Sequence, residues 1–201
     1  MWHWFKKKKK ENPYFWEEYC VYFSAKAKKN SLDRLVVFDC ETTGLDFKKD
    51  VILSIGALAI VNFRIILKDS FECFITQENY KSNQIAIHGI LKEGKTEKIS
   101  ESEAVISFLK YIKNAVLVGH HISFDIAMIN AALKKMGLPK LKNKSIDTDA
   151  LFQKYKSLSP EQHTTLDALC EAFKVPKSDR HTASGDAYLT ALVYLKLKAK
   201  M

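Results

Sequence analysis

Two acidic residues at the end of an apolar stretch are the feature that most limits how this chain can fold. Residues 35–38 are all apolar and predict a buried strand, and Asp39 and Glu41 follow in the same run. Side chains two residues apart on a strand lie on the same face, about 6–7 Å apart. Two carboxylates placed in this way repel each other and are costly to bury unless a cation lies between them. The pattern therefore indicates a site for a hard divalent cation such as Mg²⁺.

Length and composition predict one folded domain with an appendage at the N-terminus. The chain has 201 residues, of which 47% are hydrophobic, and this is enough for a single substantial core. We divide it into a basic, aromatic N-terminal extension with a short helix, residues 1–31, and a main domain, residues 32–201. The extension contains five consecutive lysines and then aromatic residues at helical spacing. Such an aromatic stripe either docks on the domain's own core or binds a protein partner through residues 1–30.

Charge and cysteine content limit the partners and the compartment. The net charge is +9, and residues 134–144 contain five lysines and no acid; a lysine excess either keeps a protein soluble or attracts a polyanion such as nucleic acid. The four cysteines are far apart, so they predict neither a disulfide framework nor a zinc site and are typical of a reducing cytoplasm. No apolar run is long enough to cross a bilayer. We therefore expect a cytoplasmic protein that does not associate with membranes.

The order of the predicted elements indicates an α/β fold. Three strands come first, over residues 35–39, 51–61 and 63–75, and the last two are so close in sequence that they must form an antiparallel hairpin. Helices and short strands then alternate. We predict strands over residues 115–118 and 145–147, and helices that begin after Ser100, at Ser123, after Thr164 or Thr165, and at Ala183. This order predicts an α/β sandwich with a mixed five-stranded sheet flanked by helices.

Three segments resemble the motifs of the DEDDh family of 3′→5′ exonucleases, which is typified by the epsilon proofreading subunit of bacterial DNA polymerase III. They are FDCETTGL (residues 38–45), GHHISFD (residues 119–125) and RHTASGDA (residues 180–187). Residues 87–90 and 147–148 are similar to further family segments, so the resemblance covers roughly residues 33–197. It implies a ribonuclease H-like fold. It also implies metal-dependent hydrolysis of nucleic acid from a single-stranded or frayed 3′ end, releasing nucleoside 5′-monophosphates.

The resemblance also implies roles for individual residues. Four acids would hold two Mg²⁺ or Mn²⁺ ions, which can stabilise the attacking and the leaving oxygen of the reaction: Asp39, Glu41, Asp125 and Asp186. His181 would accept the proton of the attacking water, since imidazole titrates near neutral pH. It precedes Asp186 by five residues, which is not a same-face helical offset, so we expect His181 at or before the start of the last helix. The residues implied to border the terminal nucleotide are Thr42, Thr43, Gly44, Leu45, His88, His121 and Phe124.

Several alternatives stay open from the sequence. His121 stands where the family usually has asparagine, and this changes the size and the pH response of a substrate contact. His120 and His121 are a poor zinc pair, because adjacent residues seldom converge on one ion. His88 is explained equally well by a turn or core role, and Asp147 by a helix N-cap or by orienting active-site groups. The substrate is DNA in the main reading; the alternatives are an RNA-directed exoribonuclease and a non-catalytic nucleic-acid-binding module.

Overall fold

Six strands and six helices make up the part of the chain that this computed structural model describes, residues 12–24, 34–77 and 97–201. The strands are β1 (Arg34–Thr42), β2 (Ile52–Val61), β3 (Arg64–Ile75), β4 (Lys98–Ile99), β5 (Val116–Gly119) and β6 (Ser145–Asp147). The helices are α1 (Tyr14–Val21), α2 (Glu101–Ile112), α3 (Ser123–Lys135), α4 (Thr148–Lys156), α5 (Leu166–Ala172) and α6 (Ala183–Lys198).

The strands form one mixed sheet in the order β4-β3-β2-β1-β5-β6. β1 pairs antiparallel with β2 and parallel with β5. β2 and β3 form the predicted antiparallel hairpin, and the two-residue link, Asn62 and Phe63, adopts positive φ at both positions, as tight hairpin turns require. The predicted mixed α/β architecture is therefore confirmed, with its acidic strand at an interior position of the sheet.

The described residues differ from the predicted elements in three places. The sheet has a sixth strand, β4, in which Lys98 and Ile99 pair with Phe74 and Ile75 at the end of β3. A strand of two residues is too short to show the alternation of apolar and polar residues that predicts strands. Helix α4 was not among the predicted helices, although a helix N-cap was one of the two roles considered for Asp147, and Asp147 is its N-cap. The N-cap of α3 is Ile122 rather than Ser123, and Ile122 makes no side-chain cap. At α2, by contrast, the predicted capping box of Ser100 and Glu103 is present.

Alternate residues of β1 pack against different helices. Val36 and Phe38 belong to the larger core, which also contains residues of α1, α2 and α3. Val37 points to the other face, where it packs with Ala191 and Tyr194 of α6. Other side chains of α6 pack against α5, so α6 is held from both sides. Asp39 and Glu41 have the same parity as Val37 and therefore lie on the α6 face of the strand.

Gly56 of β2 lets the start of α6 approach this face closely. It is the register partner of Asp39. A Cβ added to Gly56 would lie 2.2 Å from the backbone nitrogen of Ser184 and 2.3 Å from the carbonyl carbon of Ala183. A larger residue would therefore displace the start of the helix, because the atoms it would meet belong to the backbone and cannot move aside as a side chain can. The glycine thus brings the first turn of α6, including Asp186, next to Asp39.

The aromatic helix of the extension lies on the domain's own core. Trp16 and Tyr19 of α1 are 1% and 2% exposed and belong to the same core cluster as α2 and α3. The Tyr19 hydroxyl donates a 2.6 Å hydrogen bond to Asn143 Oδ1 and accepts one of 2.8 Å from the backbone N–H of Lys142. These contacts favour the docking alternative for this helix. The boundary at residue 31 stays a prediction, because residues 25–33 lie outside the described part.

Some sequence predictions fall outside the described residues. These are the lysines at residues 6–10, the family-like segment at residues 87–90 and, within it, His88. Across the ranges that are described, no helix combines the length and the apolar character needed to cross a membrane.

Candidate active site

The four predicted acidic ligands meet at the C-terminal end of β1. Asp39 and Glu41 project from the strand, and Asp186 comes from the first turn of α6. One carboxylate oxygen from each of these three residues lies within 4.8 Å of the other two. Asp125, in the first turn of α3, accepts a 3.0 Å hydrogen bond from the backbone N–H of Cys40. This hydrogen bond holds the Asp125 carboxylate at the point of β1 that lies between Asp39 and Glu41.

Burial and mutual repulsion make this cluster unfavourable when it is fully ionised. Glu41, Asp125 and Asp186 are only 8%, 4% and 7% exposed. Burial raises the pKa of Asp39 well above its ordinary value, and the negative charges of Asp125, Asp186 and Glu41 raise it further. Burial likewise raises the pKa of Asp125, to about 8. The folded chain thus gathers carboxylates where they need protons or cations to be stable.

Asp186 gives the clearest indication that the acidic cluster binds a cation. Its Oδ2 contacts the guanidinium of Arg180, which is itself held by a 3.0 Å hydrogen bond to Asp167. Its Oδ1 is buried and has no hydrogen-bond partner within the described residues. A buried carboxylate oxygen without a partner costs free energy, and coordination to a divalent cation would remove that cost. The residues present therefore fit a divalent metal ion bound through carboxylate oxygens.

His181 lies on an exposed turn immediately before α6, as its spacing from Asp186 predicts. The turn is tight: Thr182 Oγ1 accepts a 3.1 Å hydrogen bond from Gly185 N–H and donates one of 2.7 Å to the carbonyl of Asp179. His181 itself has φ of 61°, in the left-handed region that residues with a Cβ rarely adopt. The helix cap therefore holds the histidine just before the helix turn that carries Asp186, and open to solvent.

The loop after β1 is held in shape by Asp50. Its carboxylate accepts hydrogen bonds from the Thr43 hydroxyl, at 2.9 Å, and from the backbone N–H of Asp46, at 2.8 Å. A Cβ on Gly44 would lie 2.6 Å from the same carboxylate, so the loop closes tightly around it. The predicted base contact, Leu45, projects from this loop and is 86% exposed. It is accessible to a ligand.

The other predicted substrate-binding residues differ in how far they are buried. Thr42 is buried and its hydroxyl donates a 2.8 Å hydrogen bond to the carbonyl of Gly44. Phe124 is half-buried against the larger core. His121 is exposed, and its backbone N–H donates a 3.1 Å hydrogen bond to Asp147 Oδ1. Asp147 is the N-cap of α4, so it combines the capping role with a contact to a loop of the site.

Sequence reasoning missed Asp50 and Arg180. The only signal for Asp50 is that an aspartate in a turn-rich segment often accepts hydrogen bonds from nearby backbone. Arg180 was seen only as part of a motif, and its pairing with Asp167 and Asp186 could not be deduced from spacing. Both residues position other groups: Asp50 shapes the loop that carries Leu45, and Arg180 orients Asp186.

Comparison with known proteins agrees with this geometry. A protein-family model, RNase_T, described as "Exonuclease", matches residues 36–194. The chain is 36% identical over 168 residues to a PolC-type DNA polymerase III of Caldanaerobacter subterraneus, covering 83% of this chain and 12% of that protein. It is 32% identical to the DNA polymerase III subunit epsilon of Buchnera aphidicola from Acyrthosiphon pisum, covering 81% of this chain and 71% of the relative. For the Escherichia coli epsilon subunit the identity is 31%, with 83% and 72% covered.

Solved structures show the same fold. E. coli exonuclease I in complex with a dT13 oligonucleotide superposes with a TM-score of 0.70 at 16% identity, covering 84% of this chain and 41% of that one. The chain thus spans a small part of the PolC-type polymerase, under half of exonuclease I and about seven-tenths of the epsilon subunits. The family match extends over most of the chain and includes all four acids and His181. The chain therefore belongs to the exonuclease family, which confirms the resemblance to the DEDDh enzymes that its three motifs indicated.

Proposed function

We propose that this protein is a metal-dependent 3′→5′ exonuclease that removes nucleoside 5′-monophosphates one at a time from a single-stranded or frayed 3′ end of DNA. The observation that carries the proposal is the cluster of buried carboxylates at the end of β1, with an unpartnered oxygen on Asp186. The names of the relatives support DNA rather than RNA, since they are subunits of DNA polymerase III.

The acidic residues and His181 divide the chemical work between them. Asp39, Glu41, Asp125 and Asp186 would hold the divalent ions, which when bound would supply positive charge for the phosphate and activate water. Arg180 orients the Asp186 carboxylate by contacting its Oδ2, which leaves the unpartnered Oδ1 available to an ion. His181, on its solvent-facing turn, accepts the proton of the attacking water at an imidazole nitrogen. Leu45 packs against the terminal base, so that the sugar and the phosphate of that nucleotide face the acidic cluster.

The activity can be tested with a 5′-labelled single-stranded DNA and an RNA of the same sequence. With Mg²⁺ or Mn²⁺ we expect successive shortening from the 3′ end, release of nucleoside 5′-monophosphates, faster cleavage of the DNA, and no cleavage in EDTA. Internal cleavage of a circular single strand, or cleavage that persists without metal, would contradict the proposal. Faster cleavage of the RNA would retain the reaction class and overturn the substrate.

A basic groove next to the loop after β1 supports a nucleic-acid substrate. It is a cavity of about 830 Å³ between residues 47–51 and helix α3, and five lysines line it: Lys48, Lys49, Lys134, Lys135 and Lys140. Two of them have acidic partners, since Lys135 pairs with Glu101 and Lys49 with Asp46. Asp50 is the acid that lines the groove. Ser123 and Ile126, which lie on either side of Asp125 in sequence, also line the groove, and its lysines suit the phosphates upstream of the 3′ end.

We expect the triple variant Lys48→Glu, Lys134→Glu, Lys140→Glu to raise KM for a DNA 12-mer at least about tenfold, since phosphate contacts supply much of the affinity for nucleic acid. The slope of log KM against log salt should fall by about 2, that is, about 0.7 for each lost contact to a single strand. Hydrolysis of the small substrate thymidine 5′-(p-nitrophenyl phosphate), which does not reach the groove, should be unchanged.

The control for this experiment has the same charge change elsewhere. Lys156, Lys198 and Lys200 lie at the ends of α4 and α6 or beyond, and Lys198 is about 18 Å along α6 from Asp186. Changing these three to glutamate should leave KM for the 12-mer within about twofold of the wild type, because none of them lines the groove and salt weakens the interaction of exposed charges over longer distances. Equal weakening in both triple variants would show that net charge, and not this groove, determines affinity.

A further inference from the structure

A second group of potential metal ligands lies beside the acidic cluster and includes none of its residues. His121 follows β5, Asp149 is in the first turn of α4, and His163 is in the loop before α5. One ligand atom from each lies within 4.8 Å of the other two. His163 Nδ1 is 2.8 Å from Asp149 Oδ2, and His121 Nε2 is 3.8 Å from the same oxygen. As a metal ligand, His121 was considered from the sequence only together with His120, and both of these partners were missed.

The carboxylate at the centre of this group is buried and oriented. Asp149 is 3% exposed. Its Oδ1 accepts a 2.9 Å hydrogen bond from the backbone N–H of Thr164, which leaves Oδ2 facing the two imidazoles, with Gln153 Nε2 at 3.3 Å as a longer contact. The two histidine side chains are 45% and 64% exposed. The group is therefore a fixed acid below two solvent-accessible imidazoles, open to an ion from outside.

A hydrogen-bonded pair of His163 and Asp149 explains only part of this arrangement. At 3.8 Å, His121 Nε2 is too far from Asp149 Oδ2 for a hydrogen bond. The backbone nevertheless holds it there, with φ of 54° at His121 and the hydrogen bond to Asp147. Ligands bound tetrahedrally at 2.0–2.1 Å from zinc lie about 3.3 Å apart. That separation falls between the two distances observed, so small side-chain rotations would satisfy it.

We propose that His121, Asp149 and His163 form a binding site for a transition-metal ion of the zinc class, with water in the fourth position. Imidazole nitrogen favours Zn²⁺, Co²⁺ or Ni²⁺, whereas Mg²⁺ binds oxygen ligands almost exclusively. The two groups of ligands on this chain therefore differ in the metals they select. The sites are also neighbours: Asp147 accepts the N–H groups of both His121 and Asp149, and its negative charge acts on Asp125.

Co²⁺ distinguishes the two sites by absorption spectroscopy, independently of nuclease activity. The full-length protein is titrated with Co²⁺ in excess Mg²⁺, which occupies the carboxylates. We expect one equivalent to bind with the intense visible bands of tetrahedral Co²⁺, and Zn²⁺ to displace it. His163→Gln, an exposed substitution, and His121→Asn should each weaken binding by at least about 10–100-fold, the range already found for residues that only support a ligand. Asp39→Asn should leave the bands unchanged.

A melting experiment gives a second readout of the same site. Zn²⁺ added in excess Mg²⁺ should raise the melting temperature of the wild type and of Asp39→Asn, because a ligand that binds only the folded state stabilises it, and His163→Gln should lose this shift. Absence of tetrahedral bands in the wild type would overturn the proposal. Bands that persist in His163→Gln, or that disappear in Asp39→Asn, would assign the ion to other ligands and overturn it as well.

Discussion

Replacement of Asp39 by asparagine is expected to reduce exonuclease turnover about a hundredfold to a thousandfold. Loss of one group that stabilises developing charge commonly costs two to three orders of magnitude, and Asp39 shares its cluster with both Glu41 and Asp186. An amide retains the shape of the side chain but not its charge, so cation binding at the site should weaken together with turnover. Steady-state kinetics on single-stranded DNA, with calorimetric titration of Mn²⁺, measures both effects.

The same substitution should stabilise the metal-free protein. Burial and the charges of Asp125, Asp186 and Glu41 raise the pKa of Asp39 in the folded state. Because the folded state then binds this proton more tightly than the unfolded state, ionisation of Asp39 at higher pH lowers the free energy of unfolding. In EDTA at pH 8, Asp39→Asn should therefore melt above the wild type. The difference should shrink towards pH 4, near the ordinary value of 3.8, where the carboxyl becomes protonated in both states.

A matched control is Glu171→Gln, which neutralises an exposed acid on α5 that pairs with Lys177. It should leave turnover, Mn²⁺ binding and the melting temperature close to those of the wild type, since exposed ion pairs contribute about 0–1 kcal/mol. A metal-free Asp39→Asn protein that melts below the wild type would contradict the account of the cluster as a repulsive site. Full turnover in that variant would contradict its role in catalysis.

Features that depend on neighbours in sequence could be predicted for this chain. The parity of Asp39 and Glu41 follows from strand alternation, and the Ser100 capping box is confirmed because all its atoms lie within four residues. The last helix begins at Ala183 as predicted, since its apolar content and the preceding Thr182 cap are both local signals. In each case one short segment contains all the groups that determine the structure.

Features that depend on distant parts of the chain could not be predicted in the same way. Gly56 is an ordinary strand glycine in sequence, and only the approach of α6 gives it a role. Asp149 and His163 are separated from His121 by 28 and 42 residues, on elements whose packing no spacing rule specifies. The family resemblance identified the acidic ligands across larger separations, such as the 86 residues between Asp39 and Asp125, because members of a family bring the same motifs together. The resemblance did not predict contacts that its motifs do not include, such as those among His121, Asp149 and His163.

His181→Gln should lower turnover by about 10²–10⁴-fold, the usual contribution of a positioned general base, while Mn²⁺ binding stays at the wild-type level. The reason for this separation is geometric. His181 lies on the exposed turn before α6 and is not in the group formed by Asp39, Glu41 and Asp186, so its loss removes a proton acceptor and no metal ligand. Because the side chain is exposed, the variant should also fold and melt like the wild type.

Single-turnover kinetics on a DNA 12-mer, alongside the Mn²⁺ titration, separates this role from that of the acids, because Asp39→Asn should lose both turnover and metal affinity. Added imidazole should restore part of the lost rate in His181→Gln, since an exposed turn leaves room for a small base at the same place, and it should not rescue Asp39→Asn. Parallel loss of Mn²⁺ affinity in His181→Gln would make the histidine a ligand. An unchanged rate would require another group to accept the proton of the attacking water.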